Sequence, residues 1–292
     1  MNEKCPWCGS ENLKLFLELK DYFLTEENFM ILCCDECKLL FTSPVPSAEA
    51  IGNYYKSENY LSHNENRKGL LPWIYNIVKQ RNVVNKFDIA VADMANGSLL
   101  DIGCGVGDFL FYAANRGWNI SGIEPDLDAK SVASNKLHLK IDSPDALPTL
   151  PDDSFDVVTM WHVLEHVRDL KSEIFHLQRI VRHGGRLIIA LPNYKSFDAM
   201  HYLDKWAAYD VPRHLYHFSK ESVANIFNDT VFSLTDIKPL KWDSYYVSVL
   251  SEKYCGSFVP LLKGIWYGLK SNLIASKSMQ YSSLVYCFVK DK

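Results

Sequence analysis

Asp101-Ile102-Gly103-Cys104-Gly105-Val106-Gly107 lies between a β-rich run, residues 99–103, and a helical stretch that reaches about Arg116. Glycines at such a junction let the backbone turn sharply and approach a ligand closely. Roughly twenty residues further on, Glu124 ends a second β-rich run, residues 119–124. A carboxylate at that place can accept hydrogen bonds from both hydroxyls of a ribose. A glycine motif alone is weak, but here the loop and the acid stand correctly on two consecutive strands.

The loop reads GxGxG, and Asp108 stands where a dinucleotide fingerprint would have its last glycine. An acid at a helix start repels a diphosphate, and Asp101 adds a second carboxylate. The loop therefore favours a ligand with a positive charge and no phosphate. S-adenosylmethionine meets both conditions.

Outward from the loop, β-rich runs alternate with helical stretches. Residues 139–142 give a third strand, 155–160 a fourth of continuous apolar character, and 186–191 a fifth. Leu170, Ile174, Leu177 and Val181 mark one face of a helix that Gly184-Gly185 is expected to stop. Ser219 caps another helix, and two more strands follow near 235–240 and 282–289. The alternation predicts an α/β, doubly wound, mostly parallel sheet. Three regions separate: a cysteine-bearing module at 1–45 ending at Ser43-Pro44-Val45-Pro46, a helical linker at 46–96, and the α/β domain at 97–292. That domain carries insertions at 193–218 and 242–281.

The stretches DIGCGVG (101–107), GIEPD (122–126), DALP (145–148), DSFDVVTMWHVLEHV (153–167) and GGRLIIALPN (184–193) carry a resemblance. Together they resemble a class I S-adenosylmethionine-dependent methyltransferase, of the group that includes the quinone-biosynthesis enzymes. The resemblance implies a seven-stranded Rossmann-like sheet whose last strand runs antiparallel. It implies a cofactor site built from Asp101, Gly103, Cys104, Gly105, Gly107, Glu124 and Pro125. Asp145 and Ala146 would lie by the adenine, with Asp145 accepting from the exocyclic amine. Trp161 and His162 would line the methionine and ribose side, although plain core packing accounts equally well for Trp161.

Cys5-Pro6-Trp7-Cys8 and Cys34-Asp35-Glu36-Cys37 form two CxxC knuckles. Two knuckles supply four thiolates, a closed tetrahedral set that suits structural zinc. Gly9 fits the turn after the first pair, and Cys33 is a less well spaced alternative ligand. The segment resembles the zinc-ribbon-like module that precedes some sugar methyltransferases.

His162-Val163-Leu164-Glu165-His166 matches HxxEH, the zinc pattern of inverted peptidases, but it follows a buried strand in methyltransferase order. His166 is a candidate general base, as is His214 in the long 193–218 connection. That connection also holds Tyr194, Phe197, Tyr202, Trp206, Tyr209, Tyr216 and Phe218, with His201, Arg213 and His217. Such a wall of rings suits a small acceptor or a packed helical flap. The 242–281 insertion combines Leu262, Ile265, Trp266 and Leu269 with Lys253, Lys263, Lys270 and Lys277, which suits a peripheral lipid contact around 255–275, a dimer contact or a cover.

The 292-residue chain has net charge −4, which disfavours general nucleic-acid binding. No apolar run reaches membrane-spanning length, the N-terminus lacks a secretory pattern, and a cytoplasmic location is expected. The expected activity is methyl transfer to oxygen or carbon of a small molecule or glycan precursor. Two alternatives stay open: an RNA base methyltransferase whose zinc module grips RNA, and a non-catalytic cofactor-binding protein of the same fold.

Overall fold

The computed structural model describes residues 3–55 and 70–291. Three strands open the chain: β1 (Leu13–Lys20), β2 (Asn28–Cys34) and β3 (Leu40–Ser43). A single turn at Ile51–Tyr54 precedes the long helix α1 (Leu70–Val91). Residues 56–69 of the expected linker lie outside the described residues. The α/β alternation follows as β4 (Ser98–Ile102), α2 (Asp108–Ala114), β5 (Asn119–Ile123), α3 (Leu127–Leu137), β6 (Phe155–Trp161), α4 (Leu170–Ile180) and β7 (Val181–Pro192). The chain finishes with α5 (Phe197–Tyr202), β8 (Tyr216–His217), α6 (Lys220–Phe227), β9 (Phe232–Pro239), α7 (Asp243–Tyr254), α8 (Pro260–Ser278) and β10 (Ser283–Lys290).

The main sheet runs β5-β4-β6-β7-β10-β9. Strands β5, β4, β6 and β7 pair in parallel, and β10 is antiparallel to both β7 and β9. Alternate residues of each strand face opposite layers. Leu100, Ile102, Val158, Met160, Leu187 and Ile189 enter one core with α4 and α6. Leu99, Val157, Ile188 and Ala190 enter the other with α1 and α2. Each such aliphatic side chain, fully buried, stabilises the fold by about 1.5–3 kcal/mol. Burial on both faces explains why β6 reads as an unbroken apolar run.

Two expectations change. The third strand shrinks to a single parallel bridge, Ile123 to Asp142, so six strands form the continuous ladder and a seventh position is only touched. Pro144 follows at once and removes a backbone donor there. The helix bearing Leu170, Ile174 and Leu177 ends at Ile180, not at Gly184-Gly185. Val181 already pairs with Phe155, and β7 continues through both glycines.

The smaller sheet has the order β1-β2-β3-β8. Its fourth strand comes from the 193–218 insertion, since Leu40 and Phe41 pair with His217 and Tyr216. Between this sheet and the insertion, Leu19, Phe29, Ile31 and Leu40 pack with Tyr194, Tyr202, Trp206 and Tyr209. The insertion's rings therefore fill a core, which matches the packed flap, one of the two roles expected of them, rather than an acceptor wall. Arg213 is buried with them, donating to Asp21 and Asp210 at 2.9 and 2.7 Å. His201 stacks on Tyr267 with ring centroids 4.0 Å apart, and the His217 ring meets the Thr42 hydroxyl at 3.0 Å.

The second insertion is the α7–α8 hairpin. Gly264, Gly268, Ser271 and Ala275 form the buried face of α8. A Cβ on Gly264 would lie 2.4 Å from Val249 Cα, and one on Gly268 2.8 Å from Tyr245 Cα. Small residues bring the two backbones together, and the large apolar residues Leu262, Trp266 and Leu273 point outward. No helix among the described residues is long and apolar enough to cross a membrane.

Candidate functional site

The glycine loop sits at the carboxyl end of β4, where open α/β sheets hold their ligands. Gly103, Gly105 and Gly107 all adopt positive φ, at 73°, 55° and 77°. Their surroundings differ. A Cβ on Gly103 would fall 2.4 Å from Val163 Cγ2, and one on Gly107 would crowd Leu137 and Ala133. Among the described residues, a Cβ on Gly105 would meet nothing within 4 Å. Gly103→Ala combines a forbidden φ with a clash and should cost about 2 kcal/mol of stability, seen calorimetrically as a melting point roughly 4–8 °C lower. Pairing it with Val163→Ala should recover the clash and leave the φ strain; an unchanged melt for the single variant would contradict the close approach.

Glu124 closes the loop from the side. Its Oε2 accepts from the Gly105 N–H at 2.7 Å and its Oε1 from the Asp126 N–H at 2.9 Å. Burial raises its pKa, and those two N–H groups oppose the rise. Each oxygen keeps a lone pair beyond its single backbone donor. Asp142 and Glu124 are joined by a backbone hydrogen bond of 2.9 Å, which sets the turn at Pro144–Thr149, with Asp145 and Ala146, beside Glu124. Pro125 is exposed next to it, and the Cys104 side chain packs into the core, so Cys104 offers the site only its backbone.

Two acids of the loop behave differently from their expected role. Asp101 lies beneath the loop, accepts from the Thr159 hydroxyl at 2.6 Å, and burial pushes its carboxyl up to about 7. Asp108 pairs with Lys136 at 2.7 Å, so much of the charge expected to repel a diphosphate is balanced.

The turn after β6 supplies the second wall. Trp161 is buried against Phe109, Lys86 lies 4.9 Å over its ring, and its Nε1 has no hydrogen-bond partner among the described residues. Both nitrogens of His162 face carboxylates: Nε2 lies 2.9 Å from Asp243 Oδ2 and Nδ1 lies 3.4 Å from Glu165 Oε1. Burial works against the charged ring, but the two carboxylates prevail and bring it up to about 9. Asp243 was not visible as a site residue in the sequence. Its only signal is its place at the first turn of a helix in an insertion.

His166 and His214 come together from different segments, with ring centroids 4.6 Å apart. His166 Nδ1 meets the Arg213 carbonyl at 3.0 Å and the Tyr55 hydroxyl at 3.1 Å. His214 Nδ1 meets the Ala208 carbonyl at 2.9 Å. Burial, reinforced by His214, pushes His166 down to about 4. Glu165, absent from the expected residues, lies fully buried beside them. The sequence held one signal for it, the HxxEH pattern.

The four knuckle cysteines converge as well. Cys5 and Cys37 sulfurs are 3.5 Å apart, Cys8 and Cys34 sulfurs 3.4 Å, and all four lie within 4.8 Å of one another. Tetrahedral thiolates on zinc stand about 3.8 Å apart, so the set fits a metal. Each knuckle closes the same way. The Gly9 N–H donates to the Cys5 carbonyl and the Lys38 N–H to the Cys34 carbonyl, with both donors at positive φ. Cys33 stays outside, packed toward the aromatic core.

A family model described as "Methyltransferase domain" matches residues 78–236. The chain is 33% identical over 119 residues to the ubiquinone biosynthesis O-methyltransferase of Nitrosomonas europaea, covering 38% of this chain and 50% of that protein. It is 25% identical over 199 residues to the protein of the same name from Rickettsia typhi, covering 62% and 79%. The chain thus spans about half the length of the first of these relatives. Among solved structures it resembles phosphoethanolamine N-methyltransferase 2 of Haemonchus contortus in complex with S-adenosyl-L-methionine. That likeness has TM-score 0.56 at 16% identity and covers 96% of this chain and 69% of the other. At that identity it establishes the fold alone. The family match covers more than half of the chain and coincides with the loop, Glu124 and the β6 turn, and the chain belongs to the class I S-adenosylmethionine-dependent methyltransferases.

Proposed function

We propose that the protein transfers a methyl group from S-adenosylmethionine to oxygen or carbon of a small molecule or glycan precursor. The observation that carries this is Glu124: a buried carboxylate at a strand end, with spare lone pairs, beside a glycine whose Cβ position is open. Glu124 would hold the ribose hydroxyls, and the backbone of Gly103, Cys104, Gly105 and Gly107 would pass beneath the ligand. Asp145 and Ala146 would flank the adenine, with Pro125 at its edge. Asp101 would sit below the sulfonium side, and Trp161 and His162 would close the opposite wall. The unpartnered Trp161 Nε1 suits such a contact.

S-adenosylmethionine, when bound, supplies a methyl on a positively charged sulfur that leaves as a neutral thioether, so departure needs no acid. An acceptor hydroxyl must give up its proton. His166 and His214 stand at the mouth of the sheet with Nδ1 committed to carbonyls, and Nε2 of either can receive that proton. The oxygen's electron pair then forms the new bond to carbon. Alignment of acceptor, methyl and sulfur within a closed site supplies most of the acceleration. The cysteine set would hold a structural zinc, all four positions being thiolate.

Tritiated-methyl transfer into fractionated cell extract tests the reading. Label should enter the small-molecule or glycan-precursor fraction. Label confined to RNA, or no transfer to any fraction, would overturn it in favour of one of the two alternatives.

A further inference from the structure

Helix α8 is packed in the reverse of the usual sense. A helix on a globular surface turns its large apolar residues inward. Here the inner face is Gly264, Gly268, Ser271 and Ala275. Leu262, Trp266, Leu269 and Leu273 recur four, three and four positions apart and form a stripe on the opposite side. Leu262 is 69% exposed, Trp266 63% and Leu273 62%, and Phe258, in the turn between α7 and α8, is wholly exposed. Among the described residues nothing covers this stripe. A continuous apolar face of this kind, bordered by charge, marks an interaction surface.

The charges beside the stripe have one sign. Helix α8 contains no Asp or Glu, and Lys263, Lys270 and Lys277 follow one another at seven-residue intervals along one edge of the stripe. All three are exposed, as are Lys241 and Lys253. The two acids of residues 241–280 are engaged inside: Asp243 meets His162 at 2.9 Å, and buried Glu252 accepts from the Tyr202 hydroxyl at 3.2 Å. Five lysines against two acids give this segment +3, so the chain's net −4 leaves −7 on the rest. Lysines bordering an apolar stripe that includes a tryptophan suit the plane of an anionic membrane. The stripe enters the acyl boundary, the indole sits at headgroup depth, and the lysine stems reach back to the phosphates. We propose that the outer face of α8, with Phe258, binds the surface of an anionic phospholipid bilayer. The −7 on the rest of the chain is repelled by the same surface, which orients the protein with this hairpin toward the lipid. A second copy of the chain fits the face less well. A two-fold contact would set the stripe against itself, and the lysines would find no carboxylate across it. The surface does not rest on the methyl-transfer reading.

The test sediments the whole chain with unilamellar vesicles, made either of phosphatidylcholine and phosphatidylglycerol in equal parts or of phosphatidylcholine alone. At about 0.1 M salt the protein should sediment with the anionic vesicles and bind the neutral ones at least about tenfold more weakly. Raising the salt to about 0.5 M should weaken the anionic binding about tenfold. Lys263→Gln, Lys270→Gln and Lys277→Gln combined should weaken it about a hundredfold, at roughly fivefold per lysine. Leu262→Asp with Trp266→Asp should abolish it. S-adenosylmethionine affinity should stay within about threefold in both variants. Phe175→Ser, which alters an exposed apolar residue on α4, should leave vesicle binding unchanged. Failure to bind anionic vesicles, or equal binding by wild type and the α8 variants, would overturn the proposal. So would a dimer in analytical ultracentrifugation that Leu262→Asp with Trp266→Asp dissolves, since a second copy would then cover the face. If the aspartate pair does not fold, the lysine variant decides the matter. Vesicle binding without S-adenosylmethionine binding would keep the surface and topple the methyl-transfer reading. The reverse result would topple the surface alone.

Discussion

Glu124→Ala is expected to weaken S-adenosylmethionine binding about a hundredfold or more, measured by titration calorimetry. The wild-type carboxylate has two duties. It ties the Gly105 and Asp126 N–H groups, which shape the loop, and it offers its remaining lone pairs to the ribose hydroxyls. Each charge-assisted hydrogen bond contributes about 1.5–3 kcal/mol, and loss of two corresponds to a hundredfold or greater change in affinity. Alanine also leaves two backbone donors without their acceptor, which loosens the loop before any ligand arrives. Glu124→Gln keeps the shape and one acceptor oxygen, so it should fall between the two, near tenfold. An affinity for Glu124→Ala within about threefold of wild type, in a folded protein, would remove the basis of the cofactor assignment.

On the proposed structural-zinc reading, removal of the metal from the cysteine cluster is expected to have the largest effect on stability. Cys34 is wholly buried, and Cys5, Cys34 and Cys37 belong to the same core cluster as Leu39 and Phe41. Structural zinc contributes about 10–16 kcal/mol to folding of isolated zinc-finger peptides. A fraction of that, about 3–5 kcal/mol, felt by the whole protein corresponds to a melting point about 10 °C lower. Cys34→Ser or prolonged chelation should therefore release zinc, lower the melting point by that amount and reduce methyl transfer. Activity falls too because β3 pairs with β8, and His214 stands just before β8 in the chain. Cys33→Ser is the internal control, since Cys33 lies outside the thiolate set. A Cys34→Ser protein that keeps its zinc and melts within about 2 °C of wild type would refute the structural role.

The parts that were legible in the sequence are those where local pattern and tertiary role coincide. β6 reads as a buried strand because both its faces are covered, and the Ser219 cap is realised, with the Ser219 N–H donating in return to the Ser222 hydroxyl. The glycine spacing is forced by backbone geometry and so leaves an unambiguous mark. What stayed hidden depends on distant segments. Asp243 meets His162 across 81 positions of sequence, Thr42 and Asp21 reach residues of the insertion across still longer spans, and Tyr55 reaches His166 across 111 positions. The insertion's aromatic residues have the same composition whether they line a cavity or fill a core; only the apposed face of β1 and β2 decides it. The short third strand was misjudged in extent because a run of four suitable residues does not show how far its neighbour continues.

The partnership of β3 with β8 limits how this architecture can be recombined. A transplant of the cysteine segment onto another enzyme, cut at the proline pair 44 and 46, would arrive with the outer edge of β3 bare. Bare edges recruit foreign strands and aggregate. A working chimaera must bring residues 215–217 along, so the two regions are inherited together or not at all.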